Sequence, residues 1–243
     1  MKVSLIDYTG KGLGPRSAAE LMVFTKSTRL KMTPGLFDSI KEMSDLEIDK
    51  ELDYMSKTIP SSWEFCHYTF LIEGVTRAFT HQFVRTRNGS YAQQTMRILD
   101  VSGFTYHTGP SISGDEILES QYDDVMKYIN QAYDELIANG ATIEDARGIL
   151  PTNIHTNIVA SFNLRTLAEM ISKRSSSRTQ DEYRDVILAM SDAILDVHPW
   201  AFRFIANRKL DAAGQLEELI MMMPDMDRDE KTAFIKLIDI LRG

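Results

Sequence analysis

The chain has 243 residues, of which 43% are hydrophobic and 26% are charged, enough to build the core of one domain or of two small ones. The net charge of −8 argues against broad affinity for nucleic acid, because phosphate backbones bind to basic surfaces, although a local basic pocket is compatible with it. A single cysteine, Cys66, excludes an internal disulfide and a cysteine zinc site, and it is typical of a reducing compartment. The opening "MKVSLIDYTG" is too short and too polar for a signal peptide, and no apolar run approaches the roughly 18 residues that span a bilayer, so we expect a cytoplasmic protein without membrane contact.

The residue pattern predicts mostly helices with a few strands. In chain order it indicates a strand at "KVSLIDY", a helix at "RSAAELMVFTKST", one or two helices before Pro60, a strand at "FCHYTFLIEG", a helix at "VTRAFTHQFVRTR" and a strand at "YAQQTMRIL". A helix stopped by Gly140 follows, then a capping box from Thr142 to Asp145, a long helix opened by Pro151 that runs through "TNIHTNIVASFNLRTLAEMISKR", and a helix at "QDEYRDVILAMSDAILDV". Without repeats or a linker, this order predicts one α+β domain spanning residues 1–243.

Residues 81–97, "HQFVRTRNGSYAQQTMR", concentrate cationic, amide and hydroxyl groups in an acidic protein. The arginines are Arg85, Arg87 and Arg97. The planar guanidinium fork suits phosphate, and Gly89 with Ser90 permits a tight turn whose backbone N–H groups face an anion. Three glutamines add the paired donors and acceptors that a base or flavin edge requires. Composition alone favours the alternative of a solvated, charged loop between two elements.

A second polar group lies on the predicted long helix. It consists of Asn163, Arg165, Glu169 and Arg174. Asn163 and Arg174 are 11 positions apart, about three turns, so a continuous helix would place them on one face together with apolar residues. The pattern indicates a lined pocket, or equally an ordinary amphipathic helix whose cationic end complements the helix dipole.

No metal site is predicted, because the five histidines lack metal-ligand spacing and no HExxH motif occurs. Cys66 lies in a strand pattern, which favours a buried structural thiol over a nucleophile.

Residues 81–97 resemble the signature of flavin-dependent thymidylate synthases, which reads RHR, seven residues, then Ser, in a context similar to "SHQLVRHRxxSYSQQSQRY". The segments "YTFLIEGVTRAFTHQFV", "ARGILPTNIHTNIVASFNLRTLAEMISKR" and "HPWAF" also resemble that family, so the resemblance covers roughly residues 60–205. The departures from the family pattern are Thr86 for His, Thr95 for Ser, Ile98 for Tyr, Glu169 for Asn and Arg178 for His.

The resemblance implies an α+β protomer with a small, mostly antiparallel sheet, assembled as a homotetramer with active sites at subunit interfaces. It implies FAD as the cofactor, dUMP stacked against it, NADPH as the reductant and methylenetetrahydrofolate as the one-carbon donor. The implied activity is an FAD-dependent, reductive methyl transfer to C5 of dUMP, which yields dTMP. Two alternatives are a flavin-dependent hydroxymethylase of dUMP or dCMP on the same scaffold, and an inactive flavin- or nucleotide-binding relative.

The resemblance also assigns residues by position. The substrate-binding set is Gln82, Arg87, Ser90, Gln93, Gln94, Thr95, Arg97, Arg147 and Arg174. The cofactor-binding set is Arg85, Thr86, Arg87, Asn88, Asn163, Arg165, Glu169 and Arg178. The two catalytic candidates are Arg174, which would contact the pyrimidine edge, and Thr95, to which we assign binding and polarisation because no neighbouring base activates its hydroxyl. Since arginine only donates hydrogen bonds, Arg174 favours uracil oxygens over the cytosine amino group and predicts dUMP over dCMP.

Overall fold

The structure is a computed structural model that describes residues 1–30, 32–175, 179–205, 216, 220 and 227–242. Its strands are β1 (Lys2–Tyr8), β2 (His67–Thr76), β3 (Gly89–Gln93) and β4 (His155–Asn163). Its α-helices are α1 (Pro15–Ser27), α2 (Leu36–Lys41), α3 (Asp45–Thr58), α4 (Arg77–Phe83), α5 (Glu116–Ala138), α6 (Ile143–Ala146), α7 (Leu164–Arg174), α8 (Asp181–Val197), α9 (Phe202–Ile205) and α10 (Arg228–Arg242). The predicted α+β architecture is confirmed. Within the described ranges, no helix is long and apolar enough to cross a membrane.

The chain forms two compact units, and each is built from separate stretches of sequence. The first comprises Met1–Asp7 and Tyr68–Phe162, and the second comprises Tyr8–His67 and Asn163–Gly243. The first unit contains most of a four-stranded sheet in the order β1-β2-β4-β3. Strand β3 pairs antiparallel with β4, in a register that runs from Gly89 opposite Phe162 to Gln93 opposite Ile158.

Strand β4 corrects the prediction of a continuous helix from Pro151. Thr156, Ile158, Ala160 and Phe162 are buried, and the residues between them are more exposed, which is the two-residue period of a strand. The helix begins only at Leu164, so the inference that Asn163 and Arg174 share one helical face is wrong. Asn163 is instead the N-cap of α7.

The predicted strand "YAQQTMRIL" is also shorter than expected, since β3 ends at Gln93. The hydroxyl of Thr95 accepts a hydrogen bond from the backbone N of Arg97 at 3.1 Å, a local bond that competes with strand pairing. Ile98 is 79% exposed, so no buried face favours a longer strand.

The second unit is helical. The N-terminus of α3 is fixed by a capping box in which Ser44 accepts from the backbone N of Glu47 and the Glu47 carboxylate accepts from the Ser44 backbone N at 2.7 Å. Helix α7 packs against α8, and both helices carry buried apolar residues, among them Leu167, Met170 and Ile187. These contacts supply the core that holds the end of α7, where Arg174 lies.

Candidate functional site

Helix α4 brings the arginine-rich segment back toward the sheet edge in the first unit. The Thr76 side chain caps it by accepting from the backbone N of Phe79 at 3.0 Å. Phe79 and Phe83 are fully buried, and their rings stack with centroids 4.9 Å apart. The chain leaves the helix at Val84, and residues 84–88 form a short loop before β3. We call residues 84–88 the arginine loop.

The turn from the arginine loop into β3 requires glycine at position 89. A Cβ there would lie 2.3 Å from Cε1 and 2.6 Å from Cδ1 of Phe162, far inside van der Waals contact. The Phe162 ring is fixed by edge contacts with Phe83 and Tyr91, each with ring centroids 5.6 Å apart. Glycine therefore lets the backbone of β3 approach the aromatic core closely.

Tyr91 holds the arginine loop in place. Its hydroxyl lies 2.6 Å from the carbonyl oxygen of Thr86 and 3.1 Å from that of Phe83. The backbone N of Thr86 also donates to the carbonyl of Phe83, at 3.2 Å. The loop is consequently tied by side-chain and backbone bonds while its own side chains stay outside the core.

The side chains of the arginine loop are available to a ligand. Arg85, Arg87 and Asn88 are exposed, and Thr86 is half-buried. Within the described ranges, no carboxylate pairs with Arg85 or Arg87. Two neighbouring guanidinium groups without an internal counter-ion form a surface suited to an anion.

The glutamines that follow have structural bonds of their own. Gln93 Nε2 donates to the Thr80 hydroxyl at 2.8 Å. Gln94 makes two hydrogen bonds with Asn157 of β4. Its backbone N donates to the Asn157 carbonyl at 3.0 Å, and its side-chain oxygen accepts from Asn157 Nδ2 at 3.3 Å. These bonds orient both residues. Ser90 is exposed on β3.

A guanidinium cluster, formed by Arg77, Arg97 and Arg147, lies beside the end of β3. Glu144 is its carboxylate partner, with Oε2 3.3 Å from Arg97 Nε and Oε1 3.8 Å from Arg147 Nη2. Arg77 donates from Nη1 to the Gln94 carbonyl at 3.1 Å, and no described carboxylate pairs with it. Burial, followed by the positive charge of Arg147, lowers the pKa of Arg77 below its usual value. The cluster thus has an excess of positive charge.

Arg77 is the member of this cluster that sequence reasoning missed. It stands in "VTRAF", in which Val75, Ala78 and Phe79 are apolar, and a charged residue in such a stretch was the available signal. Arg97 and Arg147, which are 50 positions apart in sequence, were both predicted to bind substrate, and the structure brings them to the same carboxylate.

The second unit holds the other predicted residues. The side-chain oxygen of Asn163 caps α7 by accepting from the Thr166 backbone N at 2.8 Å, which leaves its NH₂ group as the donor. Arg165 Nη1 lies 2.7 Å from Glu64 Oε1, and its Nε lies 3.5 Å from Glu169 Oε1, so its charge is neutralised locally. The Arg174 guanidinium lies over the ring of Tyr183, with Cζ 5.1 Å from the centroid.

Other predictions concern single residues. Arg178 lies outside the described residues. Cys66 is fully buried, and burial raises the pKa of its thiol to about 12, so it is not a nucleophile at neutral pH. Among the described residues, no group of three or more histidine, cysteine, aspartate or glutamate side chains is arranged to hold a metal ion.

Comparisons with known proteins agree with the resemblance seen in the sequence. Residues 4–200 match the family described as thymidylate synthase complementing protein. A flavin-dependent thymidylate synthase of Sulfolobus acidocaldarius is 32% identical over 240 residues, covering 97% of this chain and 87% of the relative. Proteins of the same name from Sulfurisphaera tokodaii and Clostridium tetani are 35% and 30% identical, over 84% of this chain in both cases. The chain therefore belongs to the flavin-dependent thymidylate synthase family.

Proposed function

We propose that this protein is a flavin-dependent thymidylate synthase that converts dUMP to dTMP. The observation that carries the proposal is the guanidinium cluster in a chain whose net charge is −8. Arg97 and Arg147 share one carboxylate, Glu144, and Arg77 adds a third positive charge near Arg147. One dianionic phosphate would balance the remaining charge. The acidic overall charge disfavours a polyanion and fits a small nucleotide.

The nucleotide would be held chiefly by the first unit. Arg97 and Arg147 would bind its phosphate, and Arg77 would add positive charge while it holds the Gln94 carbonyl. Ser90 and the hydroxyl of Thr95 offer further hydrogen bonds, and Gln82, Arg87, Gln93 and Gln94 complete the proposed set. Thr95 has no neighbouring base in sequence, so its role is to bind and orient, and we expect Thr95→Ala to weaken nucleotide binding without abolishing turnover.

The donor set also fits FAD. Arg85 and Arg87, which lack a described counter-ion, suit a pyrophosphate, and the NH₂ groups of Asn88 and Asn163 suit the acceptor edge of a flavin. Thr86, Arg165, Glu169 and Arg178 belong to the same proposed set. The chemistry that a bound flavin supplies is the hydride that reduces the transferred one-carbon unit to a methyl group.

Arg174 is the proposed contact to the pyrimidine. A guanidinium directed at the uracil carbonyl oxygens stabilises negative charge that develops on the ring, and it stays protonated throughout. Cytosine carries an amino donor in place of one carbonyl oxygen, so an N–H group of Arg174 would be left unpaired. The unpaired donor costs roughly 1–3 kcal/mol and favours dUMP about tenfold to a hundredfold over dCMP.

The remaining parts of the proposal follow the family. NADPH would reduce the flavin, and methylenetetrahydrofolate would supply the one-carbon unit.

We also propose a cytoplasmic homotetramer. Exposed apolar residues on α5, including Ile117 at 70% and Tyr128 at 72% exposure, support self-association. We propose one folded domain over residues 1–243, since both compact units combine distant parts of the sequence.

Product analysis tests the function. The purified protein is incubated with dUMP or dCMP, methylenetetrahydrofolate and NADPH, and the nucleotides are identified by mass spectrometry. We expect a yellow protein that carries FAD and forms dTMP from dUMP. A hydroxymethyl nucleotide, a preference for dCMP, or a colourless protein that binds no added FAD would each contradict the proposal.

Variants test the proposed cofactor contacts. Arg85→Ala and Asn163→Ala each remove a donor proposed for the flavin, so we expect the FAD dissociation constant to rise about tenfold. Arg29→Ala is a control, because that arginine hydrogen-bonds Ser61 in the second unit, outside the proposed set.

Light scattering tests the assembly, and a stable, active monomer would refute the tetramer.

A further inference from the structure

The placement of Arg174 depends on an aromatic ring rather than on a carboxylate. Its Cζ lies 5.1 Å from the centroid of the Tyr183 ring, within the range of a cation–π interaction. Within the described part of the chain, no carboxylate pairs with Arg174. This arrangement differs from that of Arg165 on the same helix, which is engaged by Glu64 and Glu169.

The local fold explains why the ring is a rigid support. Tyr183 is the third residue of α8 and is only 1% exposed. Arg174 is the last residue of α7, which packs against α8, and its guanidinium lies over Tyr183 of that helix. The exposed arginine therefore rests on a side chain that the core immobilises.

A π face has a chemical advantage over a carboxylate as the support for a substrate-binding arginine. A carboxylate would occupy the N–H donors of the guanidinium and compete with an oxygen of the substrate. An aromatic face attracts the cation electrostatically without accepting those N–H groups as strong hydrogen bonds. The donors stay available, and the long side chain has less rotational freedom to lose on binding.

We propose that Tyr183 is a positioning residue that holds the Arg174 guanidinium ready for the pyrimidine of the substrate. The proposal rests on the proposed function of Arg174 and adds the group that orients it. Tyr183 does not contact the substrate itself; it acts through Arg174.

The test is a double-mutant cycle on the FAD-loaded protein, with the dUMP dissociation constant measured by calorimetry and kcat and KM by dTMP formation. Tyr183→Leu removes the π face, and we expect about a threefold to tenfold weaker dUMP affinity and a similar loss of kcat/KM. Tyr183→Phe keeps the face and should stay within about twofold of the wild type. In an Arg174→Gln background, Tyr183→Leu should add less than about a twofold effect.

Met190→Ala is the matched control for stability. Met190 is fully buried on the same helix and lies outside the proposed binding set, so its truncation should lower the melting temperature while dUMP affinity changes less than about twofold. If Tyr183→Leu does not fold, Tyr183→Met is used, because it fills similar volume without a π face.

The outcomes separate the two proposals. Equal effects of Tyr183→Leu with and without Arg174, or a folded Tyr183→Leu protein with wild-type dUMP affinity, would overturn the positioning role. Wild-type protein that binds dUMP but forms no dTMP would overturn the proposed function alone, and the cycle would then be judged on dissociation constants. Wild-type protein that binds no dUMP would overturn both.

Discussion

Gly89→Ala adds one methyl group where the arginine loop enters β3. The new Cβ would lie 2.3 Å from one carbon of the Phe162 ring and 2.6 Å from another, whereas carbon atoms pack at about 3.5–4.0 Å. Either the ring or the backbone must therefore move by roughly 1 Å. Phe162 cannot yield easily, because it is only 1% exposed and its ring meets those of Phe83 and Tyr91.

The expected cost follows from two opposing effects. Overpacking a rigid core costs about 1–3 kcal/mol, and alanine recovers about 0.4–1 kcal/mol through lower entropy of the unfolded chain. The net loss, centred on roughly 1.3 kcal/mol, corresponds to a fall of about 3–5 °C in melting temperature for a chain of this size. Since β3 starts directly after the arginine loop, flavin affinity should fall as well.

The assay is thermal and urea unfolding of Gly89→Ala, with FAD affinity measured by fluorescence. Gly109→Ala is the control, because a Cβ there would meet nothing within 4 Å. Gly89→Ala combined with Phe162→Leu should lose less than the sum of the single changes, since the smaller side chain leaves room for the methyl group. A Gly89→Ala protein as stable as the Gly109→Ala protein would refute the steric argument.

Three further predictions concern stability and the loop. His198 is fully buried, and burial lowers its pKa from 6.5 to about 4, so between these pH values the unfolded chain binds a proton that the native state does not. The free energy of unfolding should therefore fall by up to roughly 3 kcal/mol as the pH decreases from 6.5 to 4. Urea titrations of His198→Phe should show a smaller fall over the same pH range. Ser44→Ala removes the capping box with Glu47 and should cost about 1 kcal/mol in urea unfolding, and an unchanged midpoint would contradict the role of the cap. Tyr91→Phe removes the 2.6 Å contact with the Thr86 carbonyl and should cost about 1 kcal/mol and weaken FAD binding severalfold, and unchanged FAD affinity would mean that the loop does not need this bond.

Most element types could be predicted from local sequence. The alternation in β1 and the amphipathic pattern of α5 with its stop at Gly140 need no long-range information, because period and turn residues are properties of neighbouring positions. The prediction for the segment that forms β4 was wrong, because the pattern after Pro151 was interpreted as one continuous helix. Its alternation is visible in the sequence, but the residues that decided it, Ile158 and Phe162, form a strand because they pair with β3 across the sheet.

The sequence by itself determined the chemical inventory: an acidic chain with a concentrated arginine segment, and a resemblance strong enough to name the family. Tertiary structure decided which of those groups meet. Arg77, Arg97 and Arg147 come from three separate segments, and folding brings Arg97 to Glu144 and Arg77 into the neighbourhood of Arg147. It also decided that Arg165 meets Glu64 whereas Arg174 rests on a buried ring, because these two contacts arise from packing between elements.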